Sequence, residues 1–244
     1  MTETLSLRAK IEQSPMGAYQ WMIVVMAAIM NLLDGFDVLA LAFTATAIRG
    51  EFGLTGIELG YLLSAGLFGM TAGSLFLAPL ADKIGRRPLL LMAVSLSAIG
   101  MLGSAFISQY QWLGFWRVIT GLGVGGILVG TNVITSEYSS RKWRSFAISV
   151  YAAGFGIGAV LGGMFAVMLQ GEYGWRSVFL AGAILTGLLL VVLFIWLPES
   201  IDFLTSKQPK NAEVRLNLIA KKIGLAGDWK LPEKAEKVKT KLPI

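Results

Sequence analysis

The stretch ADKIGRRP, residues 81–88, sets four charged side chains in eight positions between two apolar runs. Asp82 closes the run before it. Gly85 permits a tight turn, and Arg86 and Arg87 follow. Pro88 suits the first turn of a new helix, where its missing N–H is no loss. The stretch reads as a short polar turn joining two apolar helices.

Working outward from that turn, apolar runs of about 20 residues or more recur, each long enough to cross a hydrocarbon core of roughly 30 Å. Spanning helices are predicted over 19–48, 57–80, 88–108, 112–136, 145–169 and 177–197. The chain of 244 residues is 55% hydrophobic and 15% charged, where a soluble domain carries about 25% charge. The class is an all-α, polytopic membrane protein. It divides into an N-terminal tail (1–18), a six-helix bundle (19–197) and a polar segment (198–244). Trp21, Trp112 and Trp175 lie near predicted ends, as interfacial aromatics do.

Cys and His are both absent, so disulfides, thiolate nucleophiles, Cys/His zinc sites and imidazole bases are excluded. No metal or cofactor is expected. A membrane enzyme is disfavoured, because no cluster of exposed acids stands in for those groups. The first 20 residues are polar, and no cleavable signal peptide is visible.

The net charge of +6 could point to nucleic acid, but the placement of the charges argues for topology. With the N-terminus in the cytoplasm, all but Arg49, Arg117 and Arg176 of the 21 basic residues fall in cytoplasmic segments, as the positive-inside rule requires. The 198–244 segment is Lys-rich. Within it, NAEVRLNLIAKKIG (211–224) puts Val214, Leu218 and Ile219 on one helical side, with Lys221 and Lys222 nearby. A helix lying on the membrane surface and a solvated connector both fit.

Glycines recur at GxxxG spacing in Gly69/Gly73, Gly121/Gly125, Gly126/Gly130, Gly154/Gly158 and Gly158/Gly162. Such small faces let helix backbones approach closely in lipid, and they also permit rocking. They are not nucleotide loops, because no soluble strand precedes them.

Asp34 and Asp37 interrupt the first apolar run in NLLDGFDVL, residues 31–39. A charged Asp at the centre of a membrane helix costs about 2.5–3.5 kcal/mol on insertion scales, and an ionisable residue there is functional by default. A spacing of three makes the two neighbours on one face. Two nearby carboxylates in a poorly hydrated cavity resist double ionisation, which makes the pair a candidate proton carrier. A structural acid, paired with a cation or capping a kink at Gly35, is the alternative. Arg117, inside the fourth run, is the natural partner. The Asp37 and Arg117 backbones differ in depth by roughly 8 Å at about 1.5 Å per residue, a gap that a long side chain narrows. Arg117 can bind an anionic substrate, pair with an aspartate, or alternate between them. The depth argument favours Asp37 over Asp34 for direct coupling and leaves Asp34 able to pin the first helix.

A second constellation lies on the cytoplasmic side. Asp82, Gly85, Arg86 and Arg87 face Glu137, which ends the fourth helix before Arg141 and Arg144. Acids and bases at facing helix ends can form a gate of ion pairs. Ordinary positive-inside decoration is the bland alternative.

ADKIGRRP resembles the signature loop between the second and third helices of the major facilitator superfamily, with Ala78 in place of its first Gly and Lys83 in place of its Arg. RVITGLGVGG (117–126) resembles the fourth-helix pattern, with Arg117 in its arginine position. GFGIGAVLGG (154–163) lacks the Pro of many antiporters, and LPES (197–200) is familiar from sugar and organic-acid porters. DGFD (34–37) and GWRSVF (174–179) resemble the aromatic acid/proton symporter family. The resemblance implies proton-coupled uptake of small organic acids, such as benzoate, hydroxybenzoate or muconate, across a bacterial inner membrane. It implies one six-helix half, a 3+3 inverted repeat, of a twelve-helix fold whose substrate lies between halves. The second half would be the rest of the same polypeptide or a paired chain; the other expected partners are the acid, protons and the bilayer. A sugar or other metabolite porter of the same superfamily, or a half-protein that does not transport, are the competing readings.

Overall fold

The computed structural model describes residues 6–231, and they are almost wholly helical. Six helices are long and apolar enough to cross a membrane: α2 (Ala18–Phe52), α3 (Gly56–Ile84), α4 (Arg86–Ala105), α5 (Tyr110–Tyr138), α6 (Arg144–Tyr173) and α7 (Trp175–Trp196). Three short helices accompany them: α1 (Leu7–Gln13), α8 (Ile201–Lys207) and α9 (Ala212–Ile223). The 198–244 segment is thus followed as far as residue 231; its remainder and residues 1–5 lie outside the described residues.

Local chemistry sets the boundaries. Gly53 stops α2 in the left-handed region at φ 64°. Thr55 and Glu58 then form a capping box that starts α3, satisfying donors that a helix start leaves free. Gly85 turns the chain at φ 104° between α3 and α4, a backbone that glycine adopts at no steric cost. Pro88 occupies the first turn of α4.

The pairing of helices displays the repeat. α3 lies along α5 and α6 lies along α2; α4 meets α7, and α2 meets α5. Exchanging the triplet α2–α4 for α5–α7 maps these pairs onto one another, which is the 3+3 arrangement. The closest pairs are glycine-lined. A Cβ at Gly35 would strike the Phe155 carbonyl, one at Gly158 the Leu32 carbonyl, and one at Gly69 or Gly73 the Val118 or Leu122 carbonyl. Gly126, Gly130 and Gly162 instead receive side chains, of Leu77, Leu90 and Phe36. Outside these contacts α3 and α6 turn large apolar residues outward, among them Phe68, Phe76, Val160 and Met168.

The interior is two apolar clusters. One holds Met30, Leu90, Ile127, Tyr138 and Leu193 and runs into the buried faces of α1, α8 and α9. The other holds Phe36, Met101, Leu113, Trp175 and Phe179. Buried polar side chains, including Asp34, Asp37, Ser97, Arg117 and Thr120, accompany them.

The structure adds three details to the sequence expectations. Trp175 is buried, stacked edge-on with Phe179, and donates to Glu51 Oε2 at 2.7 Å. In α9 the buried stripe is Ala212, Leu216, Ile219 and Ala220, whereas Val214 and Leu218 face outward. The helix rests on the start of α2, with the Lys222 ammonium over the Tyr19 ring. The tail before α2 is also structured: α1 buries Leu7 and Ile11.

Candidate functional site

α2 carries Asp34 and Asp37 into the interior, and both are 1% exposed. α4 contributes Ser97, whose hydroxyl donates to Asp37 Oδ2 at 2.5 Å. α5 contributes Arg117, 3% exposed. Its Nη2 donates to the main-chain carbonyl of Asp37 at 2.6 Å, and Nη1 lies 3.4 Å from the Met101 sulfur. Its guanidinium carbon stands 5.9 Å from the Phe179 ring centroid. The depth gap expected between Arg117 and Asp37 is therefore closed by the arginine side chain.

No ion pair joins Arg117 to either carboxylate among the described residues, although Arg117 and Asp37 interact electrostatically. Arg117 Nε and Asp37 Oδ1 are buried and have no hydrogen-bond partner. Arg117 also lines a crevice of about 20 Å³ between α2, α3 and α5, with Val38, Leu63, Gly66 and Thr120. That volume holds about one water. The arrangement offers a fixed buried cation, unused donor capacity and apolar walls: the chemistry that holds an anion with an apolar body.

Asp34 belongs to a different neighbourhood. It feels the charge of Asp37 but has no arginine beside it. Tyr151 of α6 is within its electrostatic reach, and Asn31 lies one turn away on α2.

The second constellation lies at the end of the bundle that carries Arg86. Asp82 and Arg86 pair at 2.7 Å within one turn, across Gly85. The amides of Arg86 and Arg87 donate to Glu199 Oε1 at 2.8 and 3.1 Å, so Glu199 caps the N-terminus of α4, where helix dipole and free N–H groups favour an anion. The Arg87 guanidinium donates to the Phe194 carbonyl at 2.7 Å. Glu137, 2% exposed, accepts from Ser200 Oγ and the Ile201 amide, both at 2.9 Å. It caps α8 and faces no arginine in an ion pair among the described residues, because a helix start is the nearer donor set. Arg144 pairs with Glu12 of α1 at 2.6 Å, and the Arg141 amide donates to the Glu12 carbonyl at 3.0 Å. Arg8 pairs with Asp202.

Asp82, Gly85, Arg86, Arg87, Glu137, Arg141 and Arg144 thus share one end of the bundle, but through caps and through α1 and α8 more than through mutual ion pairs. Glu199 is the functional candidate the sequence reading missed. Its signal was LPES, a carboxylate placed just past the last span.

A profile of the Major Facilitator Superfamily matches residues 27–232. The chain belongs to the Major Facilitator Superfamily. Within that superfamily it is 34% identical to the 4-hydroxybenzoate transporter PcaK of Pseudomonas putida over 95% of this chain and 52% of the relative. It is 36% identical to the gallate transporter of Pseudomonas putida over 84% of this chain and 45% of the relative. The fold matches the proton:xylose symporter XylE with TM-score 0.75 at 22% identity, over 86% of this chain and 50% of that one; other solved XylE structures place it in E. coli. The chain spans about half the length of the curated relatives it matches.

Proposed function

We propose that this chain is the N-terminal half of a proton-coupled symporter that carries small aromatic acid anions by alternating access. The observation that carries the reading is Arg117, a buried cation with unused donor capacity, set beside buried Asp37 and a small apolar crevice, with Asp34 one turn away on α2. The named substrates of the similar transporters, 4-hydroxybenzoate and gallate, are carboxylates on aromatic rings, and a buried guanidinium suits the carboxylate. Arg117 takes the substrate carboxylate in a charge-assisted contact. The ring takes the space between the two halves, since the crevice beside Arg117 holds about one water.

The Asp34/Asp37 pair carries the coupled proton. A carboxyl that is neutral for part of the cycle escapes most of the membrane penalty and can load on one side and release on the other. The outward apolar faces of α3 and α6 suit a second six-helix half, since substrates of such folds bind between halves. The Arg86 end is cytoplasmic by the distribution of Lys and Arg, and the membrane is a bacterial inner membrane. Asp82, Arg86, Arg87 and Glu199 act there as the gate, opening and closing as the halves rock.

The test is uptake of a panel of labelled aromatic acids and sugars by the full-length protein in proteoliposomes, with and without an inward proton gradient. Accumulation of an aromatic acid only with the gradient is expected. Accumulation of sugars instead, or of acids independently of the gradient, would overturn the reading.

A further inference from the structure

The two carboxylates are not equivalent. Asp37 is equipped to stay charged: Ser97 donates to its carboxylate at 2.5 Å, and the Arg117 guanidinium is anchored on its own carbonyl. Asp37 Oδ1 and Asp34 Oδ2 are both buried without a partner, but among the described residues Asp34 has neither a hydroxyl donor like Ser97 nor an arginine beside it. One turn earlier on α2, Asn31 is 3% exposed. Both of its amide donors point at α6, reaching the carbonyls of Tyr151 at 2.8 Å and Ala152 at 3.4 Å. Those bonds fix the amide, because a flip would press its oxygen against two carbonyls. The remaining atom, Asn31 Oδ1, is also buried without a partner.

Two acceptors cannot bond one another, and a spacing of three makes Asn31 and Asp34 neighbours on one helix face. A proton on Asp34 would turn the carboxylate into an O–H donor able to partner Asn31 Oδ1 on the same helix face. We propose that Asp34 is the proton-bearing carboxyl of the pair and that Asn31 is its positioning residue, accepting a hydrogen bond from the protonated acid. Asp37 is then the standing counter-charge of Arg117.

The surrounding charges agree. Asp37 faces Asp34 from its own helix and Tyr151 from α6. From α5 the cation is Arg117, committed to Asp37. The other charged residues of the packed helices sit at helix ends: Arg86 and Arg87 on α4, Glu58, Asp82 and Lys83 on α3, Glu137 on α5, Arg144 and Glu172 on α6, and Arg176 on α7. No cation among the described residues pairs with Asp34. The inference rests on the proton-coupled reading and assigns the proton within it.

Infrared difference spectroscopy of the purified protein in lipid nanodiscs, with carboxyl-labelled aspartate, tests this without transport. At neutral pH a carboxylic-acid carbonyl band is expected. It is lost in Asp34→Asn, retained in Asp37→Asn, and moved to higher wavenumber in Asn31→Leu, which removes the acceptor. No such band, a band that vanishes with Asp37→Asn instead, or one indifferent to Asn31→Leu would overturn the assignment. If Asn31→Leu does not fold, Asp34→Asn decides by its melting temperature. Its amide N–H supplies the same donor, so an unchanged or raised melting temperature is expected, and a clear fall contradicts the proposal. The expected bands in a protein that moves no aromatic acid would sink the symport reading alone. Gradient-driven uptake without the bands would sink this assignment alone.

Discussion

The Arg117 guanidinium is held by the Asp37 main-chain carbonyl, 2.6 Å from Nη2, and not by an ion pair with the Asp37 carboxylate. A carbonyl keeps its acceptor whatever the protonation of the side chains around it. Under the proposed function, Arg117 would keep this anchor while carboxyl charges change, and its unpartnered Nε would be available to a substrate carboxylate. Lys supplies the charge without the planar fork. Arg117→Lys is expected to weaken binding of 4-hydroxybenzoate by about tenfold or more, equivalent to about 1.4 kcal/mol, and Arg117→Ala to abolish it. Binding measured by calorimetry or scintillation proximity checks this; unchanged affinity in Arg117→Lys contradicts it.

The α2–α6 contact rests on Gly35 and Gly158, each against a backbone carbonyl of the other helix. Gly158→Ala is expected to lower stability by about 1–3 kcal/mol, the range for forcing a methyl into a packed site. Gly156→Ala serves as the internal control, since a Cβ there meets open space. Thermal unfolding in detergent compares them, and equal melting temperatures would show that the helices are not held by this approach.

Glu199 satisfies the first amides of α4. Removing its carboxylate leaves part-buried N–H groups unpaired, at about 1 kcal/mol or somewhat more, below the full cost of a buried group. Under the gating proposal, Glu199→Ala shifts the balance between conformations and so slows turnover more than it weakens substrate binding. Asp82→Asn and Arg86→Ala are expected to do the same. Parallel measurements of substrate affinity and exchange rate in the full-length protein decide. Weakened binding at a normal rate contradicts a gate.

Arg144, hydrogen-bonded to Glu12, holds that carboxyl below the usual glutamate range, with Arg8 and Arg141 contributing. A depressed folded value means stabilisation that is fully present above the ordinary 4.5 and lost as pH falls through the lowered value. The docking of α1 should accordingly be firm at neutral pH and loosen in acid. The chain has no native cysteine, so a spin label on Lys10→Cys, an exposed position of α1, reports it cleanly. Its mobility should rise on acidification, and Glu12→Gln should raise it already at neutral pH. A label whose mobility ignores both changes would count against the clasp.

The parts of this molecule that were legible in the sequence are those where one term of the physics dominates. Six apolar runs separated by charge define the spans, and the structure moves their ends by only a few residues. Asp34, Asp37 and Arg117 stand out because a charge in an oily run has no cheap explanation. Neutral residues send no such signal: Asn31 looks ordinary until its amide is seen fixed on α6. Glu199 looked like an ordinary end-of-helix acid and Glu137 like a partner for the arginines, because their hydrogen-bond partners are helix starts far away along the chain. Periodicity groups Val214, Leu218 and Ile219 on one side of α9, but it does not show that packing against α2 and α8 buries Leu216 and Ala220 and leaves Val214 and Leu218 outward. The short α1 carries too few apolar residues to announce itself.

The central claim, that an aromatic acid and a proton move together, is tested most directly by proton flux. Full-length protein is reconstituted in weakly buffered proteoliposomes, and the external pH is followed when 4-hydroxybenzoate is added, with protein-free liposomes as the baseline. The account predicts external alkalinisation that tracks labelled uptake in the wild type. It predicts none in Asp34→Asn, although that variant still exchanges internal for external substrate. Uptake with no pH change in the wild type, or proton movement in Asp34→Asn equal to the wild type, would contradict it.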